Sequence, residues 1–288
     1  MQEYLGYLQA ILFFGLIGVI LIQVAKSYGF FQLPVRDPRS NPVKFKTVLA
    51  VFAIYVGMTM IVAPGAITFV RSLYMSTPTG PPLTLYGWLQ LFILIAIFGL
   101  FYLYCKSQSP TLFKRIWKDR SISHAKPIST DFLMGVMTWI IGFPLVIAVG
   151  QLADMIIYFF LGYENYEQVA VRYLKTTLDS PPMLAVALFI ILIAAPVIEE
   201  FLFRGCLQTF FKRFMVPKKA IVFSALLFSL FHFSQSQGVG NISLVASLFL
   251  FALFLGFIYE RQASLFASVG LHMTFNAVST YRILFFPE

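Results

Sequence analysis

The chain has little of what a soluble or a secreted domain needs. Among its 288 residues are two cysteines and three histidines, and only 11% of the residues are charged. The cysteines, Cys105 and Cys206, have no partner spacing, which argues against a disulfide framework and against a thiolate metal site. The scarcity of charge and a mean hydropathy of +0.82 exclude an ordinary soluble domain. The sequence therefore predicts an integral membrane protein.

Long apolar windows take up most of the chain, each long enough to cross about 30 Å of hydrocarbon as a helix. We predict an all-α, polytopic membrane protein with about eight transmembrane helices in one bundle, four in residues 1–182 and four in residues 183–288. The fourth window is over-long, and Pro144 is expected either to kink it or to mark a boundary. The windows are 4–25, 47–70, 86–105, 131–161, 183–211, 219–236, 242–259 and 264–286.

The net charge of +9 is concentrated in alternate loops. The intervening loops carry only Arg71, Arg172 and Lys175. Basic loops face the cytoplasm under the positive-inside rule, so both termini are predicted to lie outside it. This distribution argues against a nucleic-acid partner, and the compact chain with short loops favours a prokaryotic inner cell membrane. The basic loop residues are Lys26, Arg36, Arg39, Lys44, Lys46, Lys106, Lys114, Arg115, Lys118, Arg120, Lys126, Lys212, Arg213, Lys218 and Lys219.

One basic segment, TLFKRIWKDR at 111–120, has an amphipathic pattern. Leu112, Phe113, Ile116 and Trp117 share one face of a helix, and the basic residues lie around it. The pattern predicts a short helix that lies on an anionic leaflet in contact with membrane lipids.

The stretch PVIEEFLFRG at 196–205 places charged side chains inside an apolar window. Each ionisable side chain near the bilayer centre costs about 2.5–3.5 kcal/mol. Glu200 and Arg204 are four residues apart on one helix face and neutralise each other. Glu199 lies about 100° round the helix from Glu200 and is left without this partner. Pro196 removes a backbone donor and frees a carbonyl that a neighbour or water must satisfy, so an irregular, wet pocket is expected.

Two further windows supply polar groups that match this stretch. The segment LLFSLFHFSQ carries His232, and GLHMTFNAVS carries His272 and Asn276, four residues apart on one face. Counted from the basic ends of their helices, these three residues and Glu199 lie about 16–23 Å deep, close to the midplane. We therefore predict that they meet in one site. The alternative is that each makes only a hydrogen bond between packed helices.

Three motifs together resemble those of a known family. E-E-F-L-F-R at 199–204, F-S-L-F-H at 228–232 and H-M-T-F-N at 272–276 follow the pattern EExxxR, FxxxH and HxxxN on successive membrane helices. The chain thus resembles the CPBP family. That family comprises the CAAX prenyl proteases of the Rce1 type and the bacteriocin-processing or immunity proteins, also called the Abi family. The resemblance covers residues 183–288.

The resemblance implies an intramembrane endopeptidase of the glutamate type that needs no cofactor. It makes Glu199 the general base, which activates a water together with His232, and it assigns His272 and Asn276 to the oxyanion hole. The implied substrate is a membrane-associated protein or peptide, lipidated or not, such as a CAAX protein or a bacteriocin-like precursor. A CAAX substrate would go with an endoplasmic reticulum location instead of a prokaryotic membrane. The residues that would orient the site are Glu200 and Arg204.

Other interpretations stay open. Glu199, His232 and His272 are a possible set of three zinc ligands, although no HExxH motif is present and the arginine puts a cation beside the metal. A non-enzymatic membrane protein that binds a peptide and confers immunity would use the same pocket. A proton-coupled transporter also uses intramembrane Glu and His, but no inverted repeat supports it. We expect the loop at 162–182 to be a connector, with substrate gating as the alternative.

Overall fold

A computed structural model describes residues 2–34, 42–75, 81–118, 127–162 and 168–286. Within these ranges the chain folds into helices without a strand, which confirms the all-α prediction; the one β-bridge joins Lys118 to Ser264. The helices are α1 (Gln2–Ser27), α2 (Phe45–Leu73), α3 (Leu83–Gln108), α4 (Leu112–Trp117), α5 (Ile128–Leu161), α6 (Val169–Lys175), α7 (Pro181–Phe211), α8 (Pro217–Phe231), α9 (Gly240–Gln262) and α10 (Leu265–Phe285).

Six of the described helices are long and apolar enough to cross a membrane: α1, α2, α3, α5, α7 and α9. Helix α8 has 15 residues, too few for a full crossing of about 30 Å. Helix α10 has 21 residues, but its polar side chains, His272 and Asn276 among them, lower its hydropathy. The count of eight spans therefore stays a prediction for these two helices. The over-long fourth window folds as a single 34-residue helix that continues through Pro144, so the boundary considered there was wrong.

Helix α5 packs against α1, α9 and α10. Glycines allow α5 and α10 to approach closely. A Cβ on Gly135 would collide with the backbone carbonyl of Ala267 and would lie 2.7 Å from the backbone nitrogen of Leu271. A Cβ on Gly270 would lie 2.6 Å from the carbonyl oxygen of Phe132. Small residues at such positions let membrane helices touch through their backbones, and here they fix the helix that carries His272.

The short helix α4 forms where the amphipathic pattern predicted one, but its apolar face contacts protein. Leu112 and Ile116 are buried in the core of the bundle. The rings of Phe113 and Trp117 lie 5.5 and 6.3 Å from the ring of Phe201 in α7. The expectation that this face lies in the leaflet was wrong, because aromatic residues of α7 cover it. The last two residues of the predicted helix, at 119 and 120, lie outside the described ranges.

Candidate active site

Helix α7 is irregular around the glutamate pair. It contains two π-helical segments, Ile190–Ala194 before the pair and Phe201–Gln208 after it. In the first segment the N–H of Ala195 bonds the carbonyl of Ile190, five residues back. The next residue in this pattern is Pro196, which has no N–H to offer to the carbonyl of Ile191. Proline and π segment together therefore free one carbonyl at membrane depth.

Asn276 of α10 satisfies that carbonyl. Its Nδ2 donates a hydrogen bond of 2.8 Å to the carbonyl oxygen of Ile191. The amide nitrogen carries a second N–H, which this bond does not use. The bond thus locks the polar face of α10 to the irregular turn of α7, as the proline in the sequence led us to expect.

A second irregularity surrounds Arg204. The hydroxyl of Ser224 in α8 donates to the carbonyl of Phe203 at 3.0 Å, and the hydroxyl of Thr209 donates to the carbonyl of Arg204 at 3.0 Å. Side chains therefore replace backbone donors within the wide turn, which keeps it stable in a water-poor environment.

The centre of the site is a fully buried group of three charged or ionisable side chains. Oε1 of Glu200 accepts hydrogen bonds from NH1 of Arg204 at 3.1 Å and from Nδ1 of His272 at 2.9 Å. NH2 of Arg204 donates to the carbonyl of Ala252 at 3.4 Å, and the guanidinium lies 4.3 Å from the ring centre of Phe228. Glu200 and Arg204 are both 0% exposed. This pair joins α7, α9 and α10 from inside the bundle.

Glu199 points away from that group and lines a cavity. Its Oε2 lies 3.6 Å from Nε2 of His232 and 3.9 Å from Nε2 of His272. Both distances exceed that of a direct hydrogen bond. Within the described part of the chain Oε2 is buried and has no hydrogen-bond partner, although 17% of the side chain is exposed. An acceptor-only group placed in this way between two imidazoles is suited to proton transfer.

Hydrogen bonds fix the orientation of both imidazole rings. Nδ1 of His232 lies 2.9 Å from the carbonyl oxygen of Phe228, which can only accept, so Nδ1 is the donor. Nε2 then faces Glu199 and, in the neutral ring, carries a lone pair. His232 is the residue directly after the last turn of α8, where the helix no longer needs the carbonyl of Phe228 for its own bonds.

His272 is held differently. Its Nδ1 donates to the carboxylate of Glu200, and its Nε2 faces Glu199. In the neutral ring Nε2 is an acceptor, and it donates only when the ring carries a second proton. The adjacent Glu200 carboxylate compensates the charge of such an imidazolium, as a carboxylate partner does in hydrolytic triads.

A cavity of about 1080 Å³ contains this polar group. Its walls are mostly apolar, and both histidines, Glu199 and Asn276 line one end. Other polar lining residues come from parts of the chain that carry none of the three motifs. The hydroxyl of Tyr173 in α6 donates to Oε1 of Gln90 in α3 at 2.9 Å. Burial raises the pKa of this tyrosine above its ordinary value.

Helix α6 belongs to the loop at 162–182, of which residues 163–167 lie outside the described ranges. Residues 168–171, Tyr173 and Leu174 all line the cavity, so the expectation of a plain connector was wrong for this helix. Arg172 on the same helix donates to the hydroxyl of Ser236 at 2.8 Å, which ties α6 to the segment after His232. This position could not be predicted from the sequence, because the loop residues carry no chemical motif.

The structure brings all six site residues predicted from the motifs together, on α7, α10 and the end of α8. His272 and Asn276 also make hydrogen bonds to another helix, as the alternative interpretation predicted. Glu199 makes none within the described residues, so packing does not account for it.

Metal binding by the same residues is the alternative to be compared with this geometry. Across the described residues no group of three or more His, Cys, Asp and Glu side chains has a metal-holding arrangement. The set Glu199, His232 and His272 is included in that statement. Nε2 of both rings faces the carboxylate oxygen of Glu199, at 3.6 and 3.9 Å, while Nδ1 of His272 is bonded to Glu200. A carboxylate on the second ring nitrogen is also the usual partner of a zinc-bound histidine, so the zinc set stays an alternative to the metal-free site.

Comparison with known proteins gives one family. Residues 181–278 match the family model described as type II CAAX prenyl endopeptidase Rce1-like, and the match contains all six site residues. No curated protein and no solved structure matches the chain significantly. The family implies a CAAX-type intramembrane protease that acts on a protein substrate. This match confirms the resemblance predicted from the three motifs, and it makes residues 181–278 similar to the Rce1-like family.

Proposed function

We propose that this protein is an intramembrane endopeptidase that hydrolyses a peptide bond of a membrane-associated protein or peptide with a water activated by Glu199 and His232. The observation that carries the proposal is the position of Glu199. Oε2 of its carboxylate lies near two imidazole nitrogens at the end of a large apolar cavity and has no hydrogen-bond partner among the described residues. Such a group costs stability, and the family match supplies the reaction in which it is used.

The first step is attack by water on the carbonyl carbon of the scissile bond. The water lies between Glu199 and His232, and it donates to the carboxylate and to the lone pair on Nε2. Glu199 takes its proton as the oxygen–carbon bond forms. The same proton then passes to the leaving nitrogen, the carbon–nitrogen bond breaks, and the products are a new carboxyl terminus and a new amino terminus.

The oxyanion that forms in this step needs donors. Asn276 supplies the second N–H of Nδ2, because the first holds the carbonyl of Ile191. His272 supplies Nε2–H when its ring carries both protons, while Nδ1–H stays bonded to the Glu200 carboxylate at 2.9 Å. Donors fixed in this way are effective because they do not reorganise when charge develops.

Glu200 and Arg204 act through other residues. Glu200 holds the ring of His272, and Arg204 balances the charge of Glu200 at 0% exposure. Both are positioning residues, and neither contacts the space in front of Glu199. We propose that the enzyme needs no metal.

The test of the proposal is a comparison of new protein termini in membranes that contain wild type, Glu199→Gln or Glu3→Gln at equal amounts of folded protein. Glutamine keeps the size of the side chain but cannot take the proton. Termini that appear with wild type and Glu3→Gln, and not with Glu199→Gln, establish proteolysis and name its substrates. Glu3 is the matched control because it lies exposed in the first turn of α1.

Identical profiles for all three proteins, in the native host with its full set of proteins, contradict the proposal. A peptide-binding or immunity function then takes its place, because binding in the same cavity does not require a proton acceptor at residue 199.

A further inference from the structure

The catalytic cavity extends toward one end of the bundle only. On the long helices that line it, the described lining residues lie between the level of Glu199 and the end away from the basic loops. On α2 they run from Tyr55 to Arg71, a distance of about 24 Å at 1.5 Å per residue. On α10 they run from His272 to Ile283, close to the end of the helix.

Exposed residues mark the mouth of the cavity. The lining residues Leu83, at the start of α3, and Val169, at the start of α6, are 59% and 44% exposed. Arg71 lies at the same end, and its Nε donates to the hydroxyl of Tyr86 at 3.4 Å. The cavity therefore opens beside α6, between the ends of α2, α3 and α10.

The opposite side of the site is closed by packed rings. Phe201 and Phe203, directly after the glutamate pair, are 0% and 1% exposed. The ring of Phe101 stacks on Phe201 with centres 5.2 Å apart, and α4 covers the other side of Phe201. These rings fill the space between Glu199 and the basic end of the bundle.

A polar network closes the same end further along α7 and α9. Nε2 of Gln208 donates to the carbonyl of Gly256 at 3.0 Å and to Glu260 at 3.1 Å, and Glu260 pairs with Lys212 at 2.8 Å. On the neighbouring side the buried pair of Lys118 and Asp131 has a separation of 2.7 Å. Among the described residues, these contacts hold α7 to α9 and the end of α4 to α5 at this end.

Charge identifies the two ends. In the described residues the closed end carries most of the Lys and Arg side chains, and the mouth carries few. The positive-inside rule assigns the basic end to the cytoplasm. The closed end carries Lys26, Lys44, Lys46, Lys106, Lys114, Arg115, Lys118, Lys212, Arg213, Lys218, Lys219 and Arg261, and the open end carries Arg71, Arg172, Lys175 and Arg282.

We infer that the substrate enters the cavity from the face of the membrane opposite the cytoplasm, so that the substrates are polypeptide segments on that face and not cytoplasmic C-terminal tails. The inference rests on the proposed protease function and adds the substrate class. A channel of about 24 Å accepts about seven residues of extended chain. The mouth offers amide and hydroxyl groups and the cation of Arg71, and its lining residues include no carboxylate besides Glu199. A neutral or acidic segment suits it.

The direction of access is tested by cysteine labelling in spheroplasts with a membrane-impermeant maleimide. Leu83→Cys places a thiol at the mouth and Ser279→Cys places one deeper in the cavity, whereas Lys46→Cys reports the closed end. The native Cys105 and Cys206 are each 0% exposed, so wild type gives the background. Labelling after denaturation measures the total thiol, and size-exclusion chromatography in detergent shows which variants are folded.

We expect Leu83→Cys and Ser279→Cys to be labelled in intact spheroplasts, and Lys46→Cys only after permeabilisation. The reverse pattern means that the cavity faces the cytoplasm and overturns the inference, while the protease proposal stands. If folded Ser279→Cys reacts from neither side, the cavity is closed and the inference is also wrong. This measurement needs no activity, so it separates the two proposals.

The substrate class is tested by the positions of the Glu199-dependent new termini. Termini in segments on the non-cytoplasmic side of membrane or exported proteins support the assignment. Termini in cytoplasmic segments overturn it and leave the proposed protease function intact. If no such termini appear while Ser279→Cys is labelled from outside, both the substrate class and the proposed function fail, and only the direction of opening stands.

Discussion

Asn276 and Ile191 are joined by a hydrogen bond of 2.8 Å in which a side-chain amide takes the place of the backbone N–H that Pro196 lacks. One amide group thus holds α7 and α10 together and offers its other N–H to the cavity. Structural and proposed catalytic roles meet in one side chain, and they can be separated by experiment.

Asn276→Ala removes both roles. We expect a loss of about 10²–10³ in kcat for an oxyanion donor. We also expect a loss of about 1 kcal/mol or more in the free energy of unfolding, because the Ile191 carbonyl stays buried without a donor. Kinetics with a peptide derived from an identified cleavage site, and thermal denaturation in detergent, measure the two effects.

Ser224→Ala is the matched control for that variant. It removes the hydroxyl that donates to the carbonyl of Phe203 at 3.0 Å. Phe203 lies in α7, as Ile191 does, and Ser224 is not among the residues that line the cavity. A similar loss of stability with an unchanged kcat per folded molecule is expected. Equal losses of kcat in both variants would show that Asn276 acts only through the packing of α7.

The same substitution at the two adjacent glutamates is expected to lower the rate at Glu199 and the stability at Glu200. Glu199→Gln should abolish proton transfer, at a cost of about 10²–10⁴ in rate, and leave the fold intact. Glu200→Gln leaves the fully buried Arg204 without its carboxylate, which typically costs about 3–5 kcal/mol. The yield of folded protein and its melting temperature distinguish the two variants.

A second substitution, at Arg204, tests whether its uncompensated charge causes the destabilisation of Glu200→Gln. Replacing Arg204 by Met in the Glu200→Gln background removes the uncompensated charge, so stability should recover in large part. Activity should stay low, because His272 loses the carboxylate that holds it. If stability does not recover, the destabilisation comes from packing around Glu200 and not from the charge of Arg204.

The contact between α5 and α10 predicts a sensitivity to a single methyl group. Gly135→Ala forces a Cβ into the backbone of Ala267 and Leu271, so we expect a destabilisation of about 1–3 kcal/mol together with a shift of α10 and reduced activity. Thermal denaturation and the rate per folded molecule are the measurements.

Gly99→Ala in α3 is the control for this prediction. A Cβ at Gly99 meets no atom within 4 Å, and alanine is the better helix former by about 1 kcal/mol. This variant should be as stable as wild type or more so. A Gly135→Ala protein with unchanged stability would mean that the two helices can move apart at no cost.

Metal dependence has a direct test. We expect purified active protein to keep its activity after treatment with a chelator such as phenanthroline, and to contain far less than one zinc atom per chain by elemental analysis. About one zinc atom per chain, lost together with activity on chelation and restored by added zinc, would replace the mechanism with one in which Glu199, His232 and His272 bind the metal.

The sequence predicted the proximity of the polar residues better than the helices that hold them. Residues four apart on apolar helices identify a common face, and depth counted from basic loops placed Glu199, His232, His272 and Asn276 at one level, where the structure has them. Pro196 correctly indicated a backbone carbonyl that lacks its helical donor and needs another partner. These inferences depend on local geometry, which short sequence patterns contain.

Other features could not be read from the sequence because they arise from contacts between distant segments. The π turns beside Glu199 leave no mark in the residue pattern, and neither does the end of α8 at His232. The hydrogen bonds that orient the two imidazole rings come from a backbone carbonyl and from a side chain of another helix. The place of Tyr173 in the cavity wall depends on how its loop folds back.

The length of α8 has a consequence for the surrounding lipid. Its 15 residues extend over about 22 Å, about 8 Å less than an average hydrocarbon core. A helix shorter than the bilayer is accommodated by local thinning of the lipid leaflet. We expect this thinning at the end of α8 where His232 lies, and where Ser234 and Gln237 of the following 3₁₀ turn line the cavity. The aqueous boundary is thereby lowered toward the polar residues, which shortens the path that a water molecule must travel to reach them.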